Sequence, residues 1–432
     1  MKKYFDFNKY DTTYLKEFIG GFTSFAATAY IIIVNPAILS AAGIPKGASI
    51  VATILTAVFG TLIMGIYAKR PYIIAPYMGE NAFIAYTVCG VLHYSWQTAL
   101  GAIFISGVLF VILTLSGARR FIVESVPYSL KASFSVGIGL FLCFIGLNLT
   151  QIVRLGVSGA PVTFGHITSL NVLIAIFGVI ITAVFVARDI KAGLLLGIII
   201  TSIAAFITHA APVPCGIFSM PPDIRSILFK LDIAGALTWG CVSVVLTIFV
   251  LAFVDTMGTL IGMASISGIL DKDGNMPEIE KPMLADALST VFAPLVGSTT
   301  AGCFIETAAG IKAGASTGFA AIVTASFFIL ALFFAPILTA IPPEAYGPAL
   351  IIVGFFMLKP FKNIDIEDLT EFFPSVITIA LMSFTFNIGI GMTAGFVLYP
   401  ILKIASGRGR EIKPGMYILF ILSLLFYIFY PY

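Results

Sequence analysis

The stretch APYMGENAF, residues 75–83, interrupts an apolar segment that is otherwise long enough to cross a membrane. Pro76 has no backbone donor and Gly79 loosens the chain, so a regular helix is not expected to continue through both positions. The carboxylate of Glu80 and the amide of Asn81 follow the break directly. Ionisable side chains inside membrane segments are costly and need a structural or functional reason. We therefore interpret this stretch as a broken span.

A second broken segment, PLVGSTTAGCFIE at residues 294–306, occurs much later in the chain. It also combines a proline and glycines with hydroxyl residues, and it ends on the carboxylate of Glu306. Two interrupted apolar segments at matching places in two halves indicate the binding site of a transporter. We predict that a ligand binds where these two segments meet.

The composition indicates an α-helical protein that crosses the lipid bilayer many times. Of 432 residues, 59% are hydrophobic and only 10% are charged, whereas a soluble domain carries about 25% charged residues. The apolar runs are continuous rather than alternating, which argues against a membrane β-barrel. The net charge of +3 is spread over short loops, so nucleic acid is not an expected partner. The cysteines are scattered and the histidines lie at segment ends or in loops, so we expect no metal site and no cofactor.

Counting apolar runs predicts about fourteen spans, arranged as seven plus seven. An odd number per half inverts the second half relative to the first. The expected boundaries are residues 1–211 for the first repeat, 212–235 for an external linker and 236–432 for the second repeat. The last apolar run, from Met416 to Tyr430, is marginal in length, and both a span and an interfacial helix stay open. Lysines near the start of the chain predict a cytoplasmic N-terminus.

Glu306 is the leading candidate for a ligand contact. It follows the second break, and small residues at 308–310 leave room for a flat ligand. The hydroxyls of Ser298 and Thr299 precede it and can donate hydrogen bonds to ligand oxygens. The alternative is that the Glu306 carboxylate caps its own helix.

Asp255 lies midway along the eighth predicted span, beside Thr256 and Gly258. A carboxylate shielded from water can bind and release a proton near neutrality. Asp255 and Glu306 are therefore the candidate proton-coupling groups. The alternative for Asp255 is a structural hydrogen bond to the neighbouring half-helix.

The first broken span and the first span add further candidates. Asn81 offers a donor and an acceptor, which suits the edge of a base or an amide. Glu80 directly precedes Asn81 at the start of the same predicted helix, so the two side chains point in different directions. We include Glu80 and Thr28, a hydroxyl residue of the first span, among the candidate ligand contacts.

No catalytic residue is predicted. An intramembrane aspartyl protease would need a partner for Asp255 that the sequence does not offer, and no histidine lies within a span for a serine–histidine mechanism. An intramembrane enzyme is thus the weaker alternative, and a transporter of another small solute or of an anion is the stronger one.

Six motifs follow one another in order along the chain: GGFTSF at 20–25, AYIIIVNP at 29–36, MGENAFIAY at 78–86, DTMGTL at 255–260, ADAL at 285–288 and IETAAG at 305–310. At these residues the chain resembles the azaguanine-permease-like purine permeases of the nucleobase–cation symporter superfamily, which share the xanthine/uracil permease fold. The resemblance covers nearly the whole chain.

The resemblance implies an architecture and an activity. Spans 1–4 and 8–11 would form a core domain, spans 5–7 and 12–14 a gate domain, and broken spans 3 and 10 would meet as short antiparallel strands. It implies import of adenine, guanine or hypoxanthine with a proton, by an alternating-access, elevator-like movement. Glu306 would hold the purine edge with help from Asn81, and Asp255 would bind the proton. A homodimer is left open.

Two departures from the family pattern stand out. Many members have an apolar residue where this chain has Glu80, and many have an additional Asp where this chain has Ala252. Our hypothesis is that Glu80 takes over part of the missing charge, or that the substrate differs from the usual purines.

Overall fold

The computed structural model describes residues 1–116, 125–157, 160–214, 216–269, 276–385 and 387–429. Within these ranges, eight helical segments are long and apolar enough to cross a membrane by length and composition, and shorter apolar helices accompany them. The chain is therefore a helical multi-pass membrane protein, as the composition predicts. The count of fourteen spans and the division into two repeats stay predictions.

The first half of the chain, in order, comprises α1 (Tyr14–Thr28), α2 (Ile31–Ser40), α3 (Lys46–Ile66), β1 (Ile74–Pro76), α4 (Met78–Ala82), a π-helix (Phe83–Val91), α5 (Trp96–Ser116), α6 (Tyr128–Leu149), β2 (Val153–Val157), β3 (Ala160–Phe164), α7 (Leu170–Ala187) and α8 (Gly193–Ile207).

The second half comprises α9 (Ile233–Ala236), a 3₁₀ turn (Trp239–Cys241), α10 (Val242–Ile266), α11 (Glu280–Leu295), β4 (Ala301–Cys303), α12 (Thr307–Lys312), α13 (Gly318–Ala331), a 3₁₀ turn (Leu332–Phe334), α14 (Ala335–Ala340), α15 (Pro343–Phe356), a 3₁₀ turn (Lys359–Asn363), α16 (Leu369–Phe384), α17 (Ile388–Ala405), a 3₁₀ turn (Gly409–Glu411) and α18 (Pro414–Phe429). Tyr430, the predicted end of the last apolar run, lies outside the described residues.

The two predicted broken spans meet as antiparallel strands, as the resemblance implies. Strands β1 and β4 pair with Ile74 opposite Cys303 and Pro76 opposite Ala301. Tyr77 N–H donates to the Thr300 carbonyl at 3.0 Å and continues the pairing toward α4. Lipid offers no partner for a backbone that leaves its helix, so this pairing satisfies donors and acceptors that would otherwise be costly.

The first candidate span, Tyr14–Ser40, consists of two helices rather than one. It breaks at residues 29–30 into α1 and α2. Pro36, inside α2, has no N–H to donate to the carbonyl of Ile32, so it weakens the first turn of α2 after the break. Tyr30, which is buried, lies at the junction of the two helices.

Strands β2 and β3 pair with each other as a separate antiparallel sheet. Val153 pairs with Phe164, and Val157 pairs with Ala160. The pattern of apolar residues before β2 does not predict this pairing, because strand pairing depends on side chains of the partner strand.

The helices pack in two groups. In one group, α6 packs against α15 and α16, α7 against α8 and α15, and α16 against α17. In the other, α3 packs against α13, α1 against α12 and α13, and α5 against α11. Helix α10 contacts both groups, through α5 on one side and α17 on the other.

A buried carboxylate joins α1 to α13. Glu17 is fully buried and accepts hydrogen bonds from the backbone N–H groups of Ser316, Thr317 and Ala320, at 3.1 to 3.3 Å. It thereby caps the N-terminus of a helix nearly three hundred residues away in sequence. Sequence reasoning assigned Glu17 no role.

Ion pairs hold the C-terminal end of α17. Lys403 is 1% exposed and lies within 3.4 Å of the carboxylates of Asp368, Glu371 and Glu411. Arg408 contacts Asp368 at 2.6 Å. Hydrogen bonds from Thr370 and then Arg408 hold the pKa of the Asp368 carboxyl below its usual range.

We expect Glu17→Ala to lower the free energy of unfolding by about 1–3 kcal/mol, because three N–H groups, two of them on buried residues, lose their acceptor. Thermal unfolding of the detergent-solubilised protein measures this loss. Glu367→Ala, which removes an exposed carboxylate, is the control. Equal unfolding midpoints for the two variants would contradict the capping role.

The pKa of Asp368 makes a prediction about acid stability. The pKa of the Asp368 carboxyl is lower in the folded state than the value of 3.8 expected in the unfolded state. Its ionised form therefore stabilises the fold at pH values above 3.8, and this stabilisation is lost as the pH falls below 3.8. We expect Arg408→Gln to have a lower unfolding midpoint than the wild type. The difference between the two midpoints should be constant above about pH 5 and should shrink as the pH falls below about 4. A difference that grows on acidification would refute this assignment.

Candidate functional site

The strand crossing is anchored to α10 and α11 by one carboxylate. Asp286 on α11 accepts from the Cys303 N–H of β4 at 3.0 Å and from the Thr256 hydroxyl of α10 at 2.6 Å. Asp286 is fully buried, and these bonds explain its presence in the membrane structurally. The anchor also brings Asp255, the neighbour of Thr256, to the crossing.

Glu306 lies at the N-cap position of α12 and is partly exposed. Its carboxylate makes no capping hydrogen bond, so the alternative of a self-capping residue does not describe this conformation. Instead, Glu306 Oε1 accepts from the Tyr30 hydroxyl at 2.6 Å. A third break, that of the first span, therefore contributes to the site.

Sequence reasoning missed Tyr30, although the motif AYIIIVNP was singled out. The signal that could have found it is a hydroxyl-bearing ring inside an apolar run close to a kinking proline. Its partner, Glu306, lies 276 residues away in the sequence, so a local sequence pattern cannot predict this contact.

The small residues after Glu306 have two different environments. Ala308 and Ala309 are partly exposed, as room for a ligand requires. Gly310 is buried, and a Cβ at this position would clash with the Ser24 side chain and the Gly20 carbonyl of α1. Gly310 thus serves the close packing of α12 on α1 rather than an open space.

Asn81 ties the two broken spans to the first and second spans. Its Oδ1 accepts from the Thr299 hydroxyl, and its Nδ2 donates to Asn35 Oδ1. Asn35 Nδ2 in turn donates to Thr53 Oγ1 at 2.8 Å, and Thr53 donates to the Ser49 carbonyl at 2.7 Å. The side chains of this Asn81 network are fully buried. In this conformation both functional groups of the Asn81 amide have protein partners.

The remaining candidates lie at different depths. Asp255 is partly exposed on α10. Thr28 is buried and donates to the Ser24 carbonyl of its own helix at 2.8 Å. Ser298 and Glu80 are buried, and neither the Ser298 hydroxyl nor the Glu80 carboxylate has a hydrogen-bond partner among the described residues.

The geometry therefore separates two kinds of polar residue at the crossing. Glu306 and Asp255 are partly exposed carboxylates that can reach a ligand or a proton. Asn81, Thr299 and Asp286 are buried and bonded within the protein, so they position the broken spans.

A family model described as "Permease family" (Xan_ur_permease) matches residues 15–398, which include both broken spans and every candidate site residue. The chain belongs to the Permease family. It is accordingly a membrane transporter and not an enzyme.

Named relatives of this permease match over nearly their whole length. The chain is 44% identical to MJ0326 of Methanocaldococcus jannaschii, a protein named as a permease, over 99% of this chain and 98% of that one. It is 37% identical to the guanine/hypoxanthine permease PbuG of Bacillus subtilis, over 99% and 100%. It is 35% identical to the adenine permease AdeQ of Escherichia coli, over 96% and 93%.

The permease fold is also found among solved structures. The transmembrane domain of the cyanobacterial bicarbonate transporter BicA superposes with a TM-score of 0.65 at 16% sequence identity, covering 88% of this chain and 97% of that one. At that identity the similarity concerns the fold alone.

The Asn81 network makes a testable prediction for this permease. Asn35→Ala leaves the Asn81 Nδ2 donor without its partner, and we expect a loss of about 1–3 kcal/mol in the free energy of unfolding. Thermal unfolding in detergent reports the change. Asn363→Ala, at an exposed position, is the matched control and should leave the unfolding midpoint unchanged. Two variants of equal stability would show that the network does not hold the broken spans.

Proposed function

We propose that this permease imports a purine nucleobase, adenine, guanine or hypoxanthine, together with a proton. The observation that carries the proposal is the partly exposed Glu306 carboxylate at the crossing of the two broken spans. Relatives named as guanine/hypoxanthine and adenine permeases support the choice of substrate class.

Glu306 is the proposed anchor of the base. A purine edge presents N–H groups, and a carboxylate accepts such hydrogen bonds with charge assistance. The Tyr30 hydroxyl already occupies Glu306 Oε1, so it fixes the orientation of the carboxylate and leaves the other oxygen for a ligand. Asp255 on α10 is the second proposed contact.

We propose an indirect role for the buried candidates. Asn81, Thr299 and Thr28 would reach the base only if their present protein partners were exchanged. Ser298 is buried in this conformation, and its hydroxyl has no hydrogen-bond partner in the part of the chain that the structure describes. We propose that these residues shape the site and that contact with the base depends on movement of the broken spans.

Asp255 and Glu306 are the proposed proton-coupling groups, because they combine ionisable chemistry with partial exposure. One proton moving down about 100 mV supplies roughly 2.3 kcal/mol. That energy sustains nearly a fifty-fold gradient of a neutral base, since about 1.4 kcal/mol corresponds to tenfold.

The proposed movement is an elevator-like displacement of a core domain, spans 1–4 and 8–11, against a gate domain, spans 5–7 and 12–14. The two groups of packed helices support this division, with residues 212–235 as the linker between repeats 1–211 and 236–432. We further propose a cytoplasmic N-terminus, from the lysines before α1, and leave the homodimer to be tested by oligomer measurements.

Transport of an anion on the same fold is the alternative. Two partly exposed carboxylates at the crossing disfavour a negatively charged substrate, because like charges repel strongly where water is scarce.

The proposal predicts uptake of labelled adenine, guanine or hypoxanthine into proteoliposomes. Accumulation should require an inward proton gradient and collapse when a protonophore is added, whereas uracil should be taken up more slowly. Absence of uptake of every base would overturn the proposed function.

Glu306→Gln tests the anchor. Loss of a charge-assisted hydrogen bond is worth about 1.5–3 kcal/mol, so we expect purine uptake to fall by about 10- to 100-fold. Glu344→Gln changes a partly exposed glutamate that bonds only Asn171 in the described structure, and uptake should stay at the wild-type rate. Normal uptake by Glu306→Gln would exclude Glu306 as the anchor.

A further inference from the structure

Glu80 is a buried carboxylate that the proposed substrate site does not explain. It lies in the first turn of α4, is 1% exposed, and neither of its oxygens has a hydrogen-bond partner in the described part of the chain. The Thr300 side chain lies beside it, yet its hydroxyl also lacks a partner at hydrogen-bonding geometry. A polar group this deeply buried is normally bonded, so the free carboxylate requires an explanation.

Among the described residues, no positively charged group interacts with Glu80. The charged groups that interact with it are Asp255 on α10 and Asp286 on α11, both acidic. Helix α2, which also packs against α4, contains no titratable residue. The π-helix that follows α4 contributes Tyr86 and Cys89, which are neutral when protonated, and α6 places Ile138 against Gly79. An ionised carboxylate in such a place would pay the full cost of desolvation and would be repelled by both aspartates.

The neighbouring residue shows how tightly α4 packs against α6. A Cβ at Gly79 would lie 2.5 Å from Cγ2 of Ile138, so α4 and α6 approach as closely as a glycine allows. Helix α4 belongs to the proposed core and α6 to the proposed gate. Glu80 is therefore sealed from water next to the surface on which these two domains meet.

We propose that Glu80 is a proton-binding site separate from the substrate carboxylates. Its protonation allows α4 to pack against α6 without water between them. The carboxylate takes up one proton and becomes a neutral acid, which is stable at a site shielded from water. When the proton leaves, the charged carboxylate needs water, so the packed arrangement of α4 on α6 is disfavoured. The proton thus selects between two arrangements of core and gate. This inference rests on the proposed coupling of transport to protons.

Glu80→Gln tests the proposal, because glutamine is uncharged and nearly isosteric with the protonated acid. The first measurement is the unfolding midpoint of the solubilised protein between about pH 6 and pH 9. The wild-type midpoint should fall with rising pH, since the folded state must bury a charge or pick up a proton. Glu80→Gln should show a smaller fall, and Glu280→Gln, an exposed control at the start of α11, should follow the wild type.

The second measurement is purine counterflow, an exchange that needs no net proton movement. Wild-type counterflow should decrease by up to about tenfold per pH unit once Glu80 loses its proton, because only the protonated fraction can pack and move. Glu80→Gln should keep its rate at alkaline pH. Wild-type-like pH curves for Glu80→Gln in both measurements would overturn the proposal, and if the variant does not transport, the unfolding curves decide alone.

Sodium provides the competing explanation and is separated by the same assays. Repeating both in choline instead of sodium should leave the wild-type curves unchanged. A sodium-dependent midpoint that Glu80→Gln abolishes would overturn the proton assignment in favour of a metal cation. Failure of wild-type purine uptake, by contrast, would refute the proposed function and leave the unfolding test of Glu80 intact.

Discussion

The pairing of β1 with β4 is the interaction on which the rest of the site depends. An interrupted membrane helix exposes backbone donors and acceptors that lipid cannot satisfy. The two interruptions in this chain satisfy each other, with Ile74 opposite Cys303 and Pro76 opposite Ala301. Because the solution requires both breaks at once, it also fixes where the two halves of the chain cross.

The polar residues around the crossing follow from that pairing. Asp286 fastens β4 to α10, and the Asn81 network fastens the start of α4 to the first and second spans. These buried, bonded groups give the crossing a defined shape and leave two carboxylates, Glu306 and Asp255, partly exposed beside it. Rigid support around a few exposed polar groups is the arrangement that a binding site for a small, flat ligand needs.

Much of this organisation could be predicted from the sequence because its causes are local. Pro76 is incompatible with a helix that continues through it, and the low charge content argues against a soluble fold. The insertion cost of a carboxylate singles out Glu306 without knowledge of its partner. The strand pairing itself was implied by the resemblance to purine permeases and is confirmed by the register of β1 and β4.

Other features could not be predicted because they depend on partners distant in sequence. Tyr30 acquires its role from Glu306, Asn35 from Asn81, and Glu17 from the start of α13. The break in the first span and the pairing of β2 with β3 likewise reflect packing and pairing rather than periodicity. The environment of Glu80 is the clearest case, since the sequence shows a carboxylate but not that it is buried without a hydrogen-bond partner among the described residues.

The central claim is that the base binds at the crossing, against Glu306. A structure determined with bound hypoxanthine or adenine tests it most directly. The account predicts the base beside α12, with a ring N–H about 2.7–3.2 Å from the Glu306 carboxylate. A base bound elsewhere, for example in the apolar cleft that Val250, Phe396 and Phe426 line between α10, α17 and α18, would contradict it.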